Sequence, residues 1–430
     1  MRVRGILCDA LSVLAVLLGA AVPSSPALDV HIRVEPDHII LGQPAWIVVD
    51  ITNRSTQGIV DEGVSYCFET PMHIDIPEAQ RRGSNYAACA HAAEDCQTEL
   101  LDIAPGQTVT RRYTLKGNFV LSAAGNYAVA VHDAIRYGNE STTDPPPLDR
   151  SQSAAMNATL TVAPPDAQKL LDVEKSLAVR AVFVAPRPSL PPHADIETLR
   201  RFDAIQRVAD AEAMNERYAL ADGLATYPAA GMEPTFTAWL DRQDSYEFGL
   251  LALRHLNTPQ ARAILGRRAA GLSNDLPPTE YQVERWLAVE YLSQMGDQAY
   301  LPLLEKLVHD PVHDVQQQAV LGIGLLGRKK DLDFLVRLAR GAKTTQDRAD
   351  AFQAIGETGS LEAVPLLIDL FTLPNAEQPG SSNNALSEIT HHQITDAWHS
   401  TPAHAKQLWQ SWWTQNHATA QAYSPEICEY

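Results

Sequence analysis

Ala288-Val-Glu-Tyr-Leu292, Ala319-Val-Leu-Gly-Ile323 and Ala351-Phe-Gln-Ala-Ile355 are three renderings of one phrase, and they set the period of the chain between Tyr281 and Leu370. Each is followed by a glycine, Gly296, Gly327 and Gly359, at intervals of 31 and then 32 residues. A period of that length is the signature of a repeated helical pair. In two copies a proline, Pro302 or Pro365, falls six residues after the glycine and precedes Leu-Leu. Proline fits the first turn of a second helix, where the N–H groups have no intrahelical acceptor.

Working back from this stretch, Tyr246 to Leu256 followed by Asn257-Thr-Pro and Gln260 to Leu265 reads as an earlier, degenerate copy. Thr258 before Pro259 is predicted to cap the second helix of that copy. Another copy is expected between Arg217 and Leu240, and Leu199, Phe202, Ile205 and Val208 recur at threes, so helical periodicity starts near Asp195. Working forward, Trp409, Trp412 and Trp413 share one helical face. They are read as a cap over the last apolar surface, a platform for a ligand being the alternative.

The Ala-rich first helix, the Gly-centred turn and the Pro-Leu-Leu second helix resemble HEAT repeats, particularly the short variety related to phycobilisome-lyase repeats. The resemblance is strong from Tyr281 to Leu370 and weaker back to Asp195. It implies an α-α superhelical solenoid over 195–375, a C-terminal helical cap and tail over 376–430, and the task of holding a protein or peptide. In such solenoids the second helices line the concave face, so Arg262, Glu305, Arg337 and Arg340 are the candidate protein-binding residues. One enzyme class built on these repeats, deoxyhypusine hydroxylase, binds iron through His-Glu dyads. This chain has no His-Glu dipeptide, so that activity is not implied, and export argues against a bilin-lyase role.

From Leu28 to Pro164 the period changes to two. Ala45, Ile47, Val49 and Ile51 would face a core and Asp50 solvent, the pattern of a half-buried strand. Thr108 to Leu115, Gly125 to Val131 and Ala158 to Val162 repeat it between turns, which predicts an antiparallel β-sandwich over 28–164. The Leu41-Gly-Gln-Pro44 turn, the strand end at Asn53 and the Ala124-Gly-Asn-Tyr-Ala-Val129 strand are similar to immunoglobulin-like modules of exported bacterial proteins. Tyr127 would fill the tyrosine-corner role, its hydroxyl bonding to backbone. The insert from Cys67 to Cys96 breaks the strand rhythm and reads as a long loop. Pro164-Pro165 and Pro186 to Pro192 mark residues 165–194 as a proline-rich linker.

Met1-Arg-Val-Arg4, the apolar run from Ala10 to Val22 and Pro23 to Ala27 have the order of a secretory signal, with cleavage expected after Ala27. The apolar run is too short to span a bilayer comfortably, and no later segment approaches a membrane span. The location is therefore expected to be periplasmic or extracellular. Losing Arg2, Arg4 and Asp9 moves the formal charge from −18 to −19. So acidic a chain is a poor partner for nucleic acid, whose phosphates need clustered Lys and Arg. The mature chain keeps Cys67, Cys89, Cys96 and Cys428, an even number suited to an oxidising compartment, with a Cys89–Cys96 disulfide the favoured first pairing of three. Asn53, Asn139 and Asn157 begin sequons that would accept glycans only in a eukaryotic secretory route.

The dyads His309-Asp310 and His313-Asp314 have the residue types of a catalytic or metal site, but they fall on an inter-repeat turn where Asp310-Pro311 is expected to cap a helix. His391, His392, His399 and His404 match no common metal spacing. No hydrolase, phosphate-loop or calcium-loop motif occurs, and neither a catalytic residue, a metal nor a cofactor is expected. The sequence therefore predicts a non-catalytic exported scaffold. The rivals are a secreted hydrolase with a site between sandwich and solenoid, and a self-associating envelope component.

Overall fold

The computed structural model describes residues 27–61, 73–81, 101–115, 119–139, 149–182, 213, 216–226, 228–242, 245–271, 278–327, 331–373 and 380–421. An N-terminal, mainly antiparallel β-sheet region is followed by a helical region. The strands are β1 (Leu28–Glu35), β2 (His38–Ile40), β3 (Trp46–Asn53), β4 (Ile59–Asp61), β5 (His73–Asp75), β6 (Gln80–Arg81), β7 (Leu101–Ile103), β8 (Thr108–Thr114), β9 (Phe119–Val120), β10 (Gly125–Asn139) and β11 (Arg150–Ala163). One sheet has the order β1-β3-β8. A second has the order β2-β11-β10-β4-β7, with β5 also on β10, and β6 pairs with β9 in a ribbon.

Side chains from both larger sheets meet in one buried cluster that includes Ile47, Val49, Ile51, Val129, Val131 and Leu160. Ala45, Ile47, Val49 and Ile51 all belong to that cluster, as their period-two spacing predicts. The expectation of a half-buried strand fails at Trp46 and Val48, which are also buried but belong to the core of the helical region. Strand β3 is thus covered on both faces because helices pack on its second face.

Tyr127, at the start of β10, donates its hydroxyl to the carbonyl oxygen of Ala123 at 2.8 Å. Asn53 is fully buried, its amide nitrogen donating to the carbonyls of Gln57 and Ile103 at 2.8 Å each. Its Oδ1 accepts from the Ser55 N–H and hydroxyl, so this sequon asparagine is a turn-former inside the fold rather than an accessible acceptor.

The helices are α1 (Ala167–Val182), α2 (residues 216–226), α3 (Glu233–Trp239), α4 (Tyr246–Leu256), α5 (Pro259–Ala269), α6 (Pro278–Gln294), α7 (Leu301–Leu307), α8 (His313–Gly327), α9 (Leu332–Gly341), α10 (Thr345–Glu357), α11 (Ala363–Leu370), α12 (Gly380–Thr390), α13 (Thr395–Trp398) and α14 (Pro402–Asn416). Helix α1 lies inside the stretch read as a linker. Its Ala178 and Ala181 enter the helical core, and its buried Glu174 accepts the Ala229 N–H at 2.7 Å. Prolines flank this segment on both sides, but Ala167 to Val182 itself contains neither proline nor glycine and keeps an apolar stripe.

Thr258 caps α5 as predicted, its hydroxyl accepting the Ala261 N–H at 3.1 Å. The first helices α4, α6, α8, α10 and α12 pack in a continuous row, and α5, α7, α9 and α11 pack against that row as a second layer. Repeated glycines permit the close approach: a Cβ on Gly324 of α8 would lie 2.2 Å from the carbonyl oxygen of Ala354 in α10. Gly296 and Gly359 end their helices at φ values of 72° and 57°, a region glycine enters without strain.

The sheet and helical regions meet at a seam. Trp46 donates its indole N–H to the Ala219 carbonyl at 2.8 Å and packs on Gly223, where a Cβ would lie 3.0 Å from its ring. No helix among the described residues is long and apolar enough to cross a membrane.

Candidate functional site

The second-helix layer carries the four candidate binding residues, and their surroundings divide them. Arg262 on α5 is half-buried and pairs with Asp297 at 2.7 Å, tying its repeat to the turn that opens the next. That is a structural contact. Glu305 on α7, and Arg337 and Arg340 on α9, are exposed. The Arg337 guanidinium lies 6.0 Å from the centre of the Phe334 ring, a loose cation–π contact.

The first-helix row holds buried polar groups in pairs. Arg285 of α6 makes a two-point pair with Asp310 at 3.1 and 2.5 Å, and Asp310 also accepts the Val312 N–H at 3.0 Å. This explains His309-Asp310: the aspartate anchors an arginine of the preceding helix and shapes the entry to α8, while His309 and His313 are exposed. Arg268 bridges Asp241 at 2.6 Å and Glu284 at 3.0 Å. Asp350 of α10 accepts from Gln317 and Gln346 at 3.0 and 2.9 Å, and burial holds its carboxyl above the ordinary range. Two other carboxyls are also raised. Asp222 on α2 is pushed up to about 6 by burial, and Glu388 on α12 up to about 7 by burial and then by the neighbouring Glu357.

At the C-terminal end Trp409 is fully buried and donates to Asn383 Oδ1 at 2.7 Å. Trp412 and Trp413 lie over it, half-exposed. His392 stacks on Trp412 with ring centres 4.7 Å apart and planes 10° from parallel. One member of the predicted histidine cluster thus joins the tryptophan cap, which the spacing of the histidines did not reveal. Among the described residues no group of three His, Cys, Asp or Glu side chains is placed to hold a metal. Cys67, Cys89, Cys96 and Cys428, the stretch from Pro186 to Val208 and residues 1–26, where a secretory signal is expected, lie outside the described residues.

Comparison with known proteins bears on the helical region. The family model described as HEAT repeats matches residues 269–356. No curated protein matches the chain. Among solved structures, the complex of CpcE and CpcF of phycocyanin lyase from Nostoc sp. is similar at 17% identity and a TM-score of 0.29, over 57% of this chain and 86% of that one. A fragment of native alpha-2-macroglobulin from Escherichia coli is similar at 11% identity and a TM-score of 0.19, over 89% of this chain and 65% of the fragment. Salmonella alpha-2-macroglobulin reacted with methylamine is similar at 10% identity and a TM-score of 0.19, over 90% of this chain and 27% of that one. The family match falls on residues 269–356, within the stretch whose paired helices stack in two layers, and it is this part of the helical region that matches HEAT repeats.

Proposed function

We propose that this protein is an exported, non-catalytic scaffold that binds a protein or peptide on the second-helix layer of its repeats. The helical region is read as an α-solenoid. The sheet region is read as an immunoglobulin-like sandwich, supported by the β1-β3-β8 sheet, the parallel β2–β11 pairing at the edge of the other sheet and the Tyr127 hydroxyl bonded to backbone. Export rests on the basic, apolar and small-residue order of Met1 to Ala27, and places the protein in the periplasm or outside the cell.

The observation that carries the binding proposal is the set of exposed charged residues on the second helices α7 and α9. Buried ionic groups such as Arg285 and Asp310 are spent on joining helices, whereas Glu305, Arg337 and Arg340 stand exposed on successive second helices. Affinity capture from the envelope fraction of the native cell, followed by reconstitution with the purified partner, tests it. Binding that weakens at least tenfold in Arg337→Ala/Arg340→Ala is expected. Unchanged binding, or turnover on hydrolase substrates abolished by changing polar residues between the two regions, would overturn it.

A further inference from the structure

Charge is sorted between the two helix layers. Among α5, α7, α9 and α11 the basic residues are Arg262, Arg267, Arg268, Lys306, Arg337 and Arg340, against the acids Glu305, Asp333 and Asp369. In α4, α6, α8, α10 and α12 the proportion is reversed: nine acids against Arg254, Arg285 and Arg348. The whole chain has 34 basic and 52 acidic residues, so the second layer departs from the composition and the first layer follows it.

Burial and pairing show which of these charges face solvent. Arg262 is held by Asp297, and Arg268 by Asp241 and Glu284. Arg267, Lys306, Arg337, Arg340 and, in the turn after α9, Lys343 are exposed and make no ion pair among the described residues. A basic residue in the last turn complements the negative end of its helix, which accounts for Arg267, Lys306 and Arg340. It does not account for Arg337, one turn earlier, or Lys343 beyond the helix. Arg267, Lys306 and Arg340 occupy the last turns of the second helices of consecutive repeats, with Arg337 one turn earlier and Lys343 just beyond α9, and the Tyr300 ring against Gly266 joins α5 to the next repeat.

We infer that this ridge docks an acidic segment of a protein partner, an extended or helical peptide rich in Asp and Glu. The inference rests on the proposed scaffold function and supplies the chemistry of its partner. Charge complementarity carries it: on a surface dominated by acids, a local row of basic side chains attracts negative charge at short range, and the surrounding field repels anions that overhang it. A compact acidic segment fits that arrangement better than a polymeric phosphate backbone, whose charge runs on past the ridge.

Fluorescence anisotropy of the full-length protein with labelled 15-residue peptides tests this. The probes are a Glu/Asp-rich sequence, the same sequence with Gln and Asn replacing the acids, and a short DNA duplex. The acidic peptide is expected to bind, to weaken at least tenfold between 50 and 250 mM salt, and to lose at least tenfold in Lys306→Glu/Arg337→Glu/Arg340→Glu. A melting temperature unchanged by the triple substitution would show that the repeats are intact. Absence of acidic-peptide binding, equal binding by the triple variant, or tighter binding of the neutral peptide or the duplex would overturn the inference. If a captured partner binds the second-helix layer while the acidic peptide does not, the scaffold function stands and only the partner chemistry falls.

Discussion

Single residues decide how close the helices come and how the fold answers to pH. Gly324 of α8 faces the backbone of α10, so Gly324→Ala must push two helices apart. A loss of about 2–3 kcal/mol in chemical denaturation is expected, the scale of overpacking a filled core. The glycine was visible in Ala319-Val-Leu-Gly-Ile323 and the residue after it, but the carbonyl it accommodates belongs to another repeat, and no local pattern names it. Asp222 and Glu388 make a pH prediction. Their folded carboxyls titrate at about 6 and about 7 because burial disfavours the ion. A raised carboxyl favours the folded state while protonated, so its contribution is complete below its unfolded range and is lost as pH rises through the folded value. The melting temperature is therefore expected to fall between about pH 4 and 7, from the ordinary carboxyl range up to the two folded values. Asp222→Asn should remove the lower part of that fall and Glu388→Gln the upper part; profiles parallel to the parent's would count against this assignment. For Asp222 the effect is about 2 kcal/mol, reduced by its partial exposure to solvent.

At the scale of elements, the period of 31 and 32 residues located the helical pairs from Pro278 to Leu370, because a repeated phrase carries its own alignment. Thr258 was legible for a similar reason: capping is settled within a few residues. Helix α1 was not, since its two neighbouring proline clusters read as a connector and its apolar stripe finds its partners only in the distant helical core. The joins between pairs are likewise non-local. Arg285 and Asp310 are 25 residues apart in the chain and almost wholly buried together. Arg285→Ala is expected to cost about 3–5 kcal/mol because it strands Asp310, while Arg285→Ala/Asp310→Ala should recover part of that loss. A single substitution with no measurable effect on unfolding would remove this pair from the account.

At the scale of the whole molecule, the β then α order was legible in the change of period from two to three and four. The continuity between the regions was not, because Trp46 and Val48 occupy the strand positions that an alternating pattern assigns to solvent. With Trp46 in the helical core, the two regions should unfold together. Trp46→Ala is expected to cost about 3–5 kcal/mol and to split one calorimetric transition into two; a single transition at the parent temperature would show that Trp46 does not couple the regions. The proposed binding function belongs to this scale too, since no single residue forms a site and only the stacked second helices present a surface. The most direct test is site-specific photocrosslinking in the native cell, with the reactive group at position 337 on the second-helix layer or at position 318 on the first. The account predicts one protein partner crosslinked from 337 and not from 318. Equal labelling from both positions, or none from 337, would contradict it.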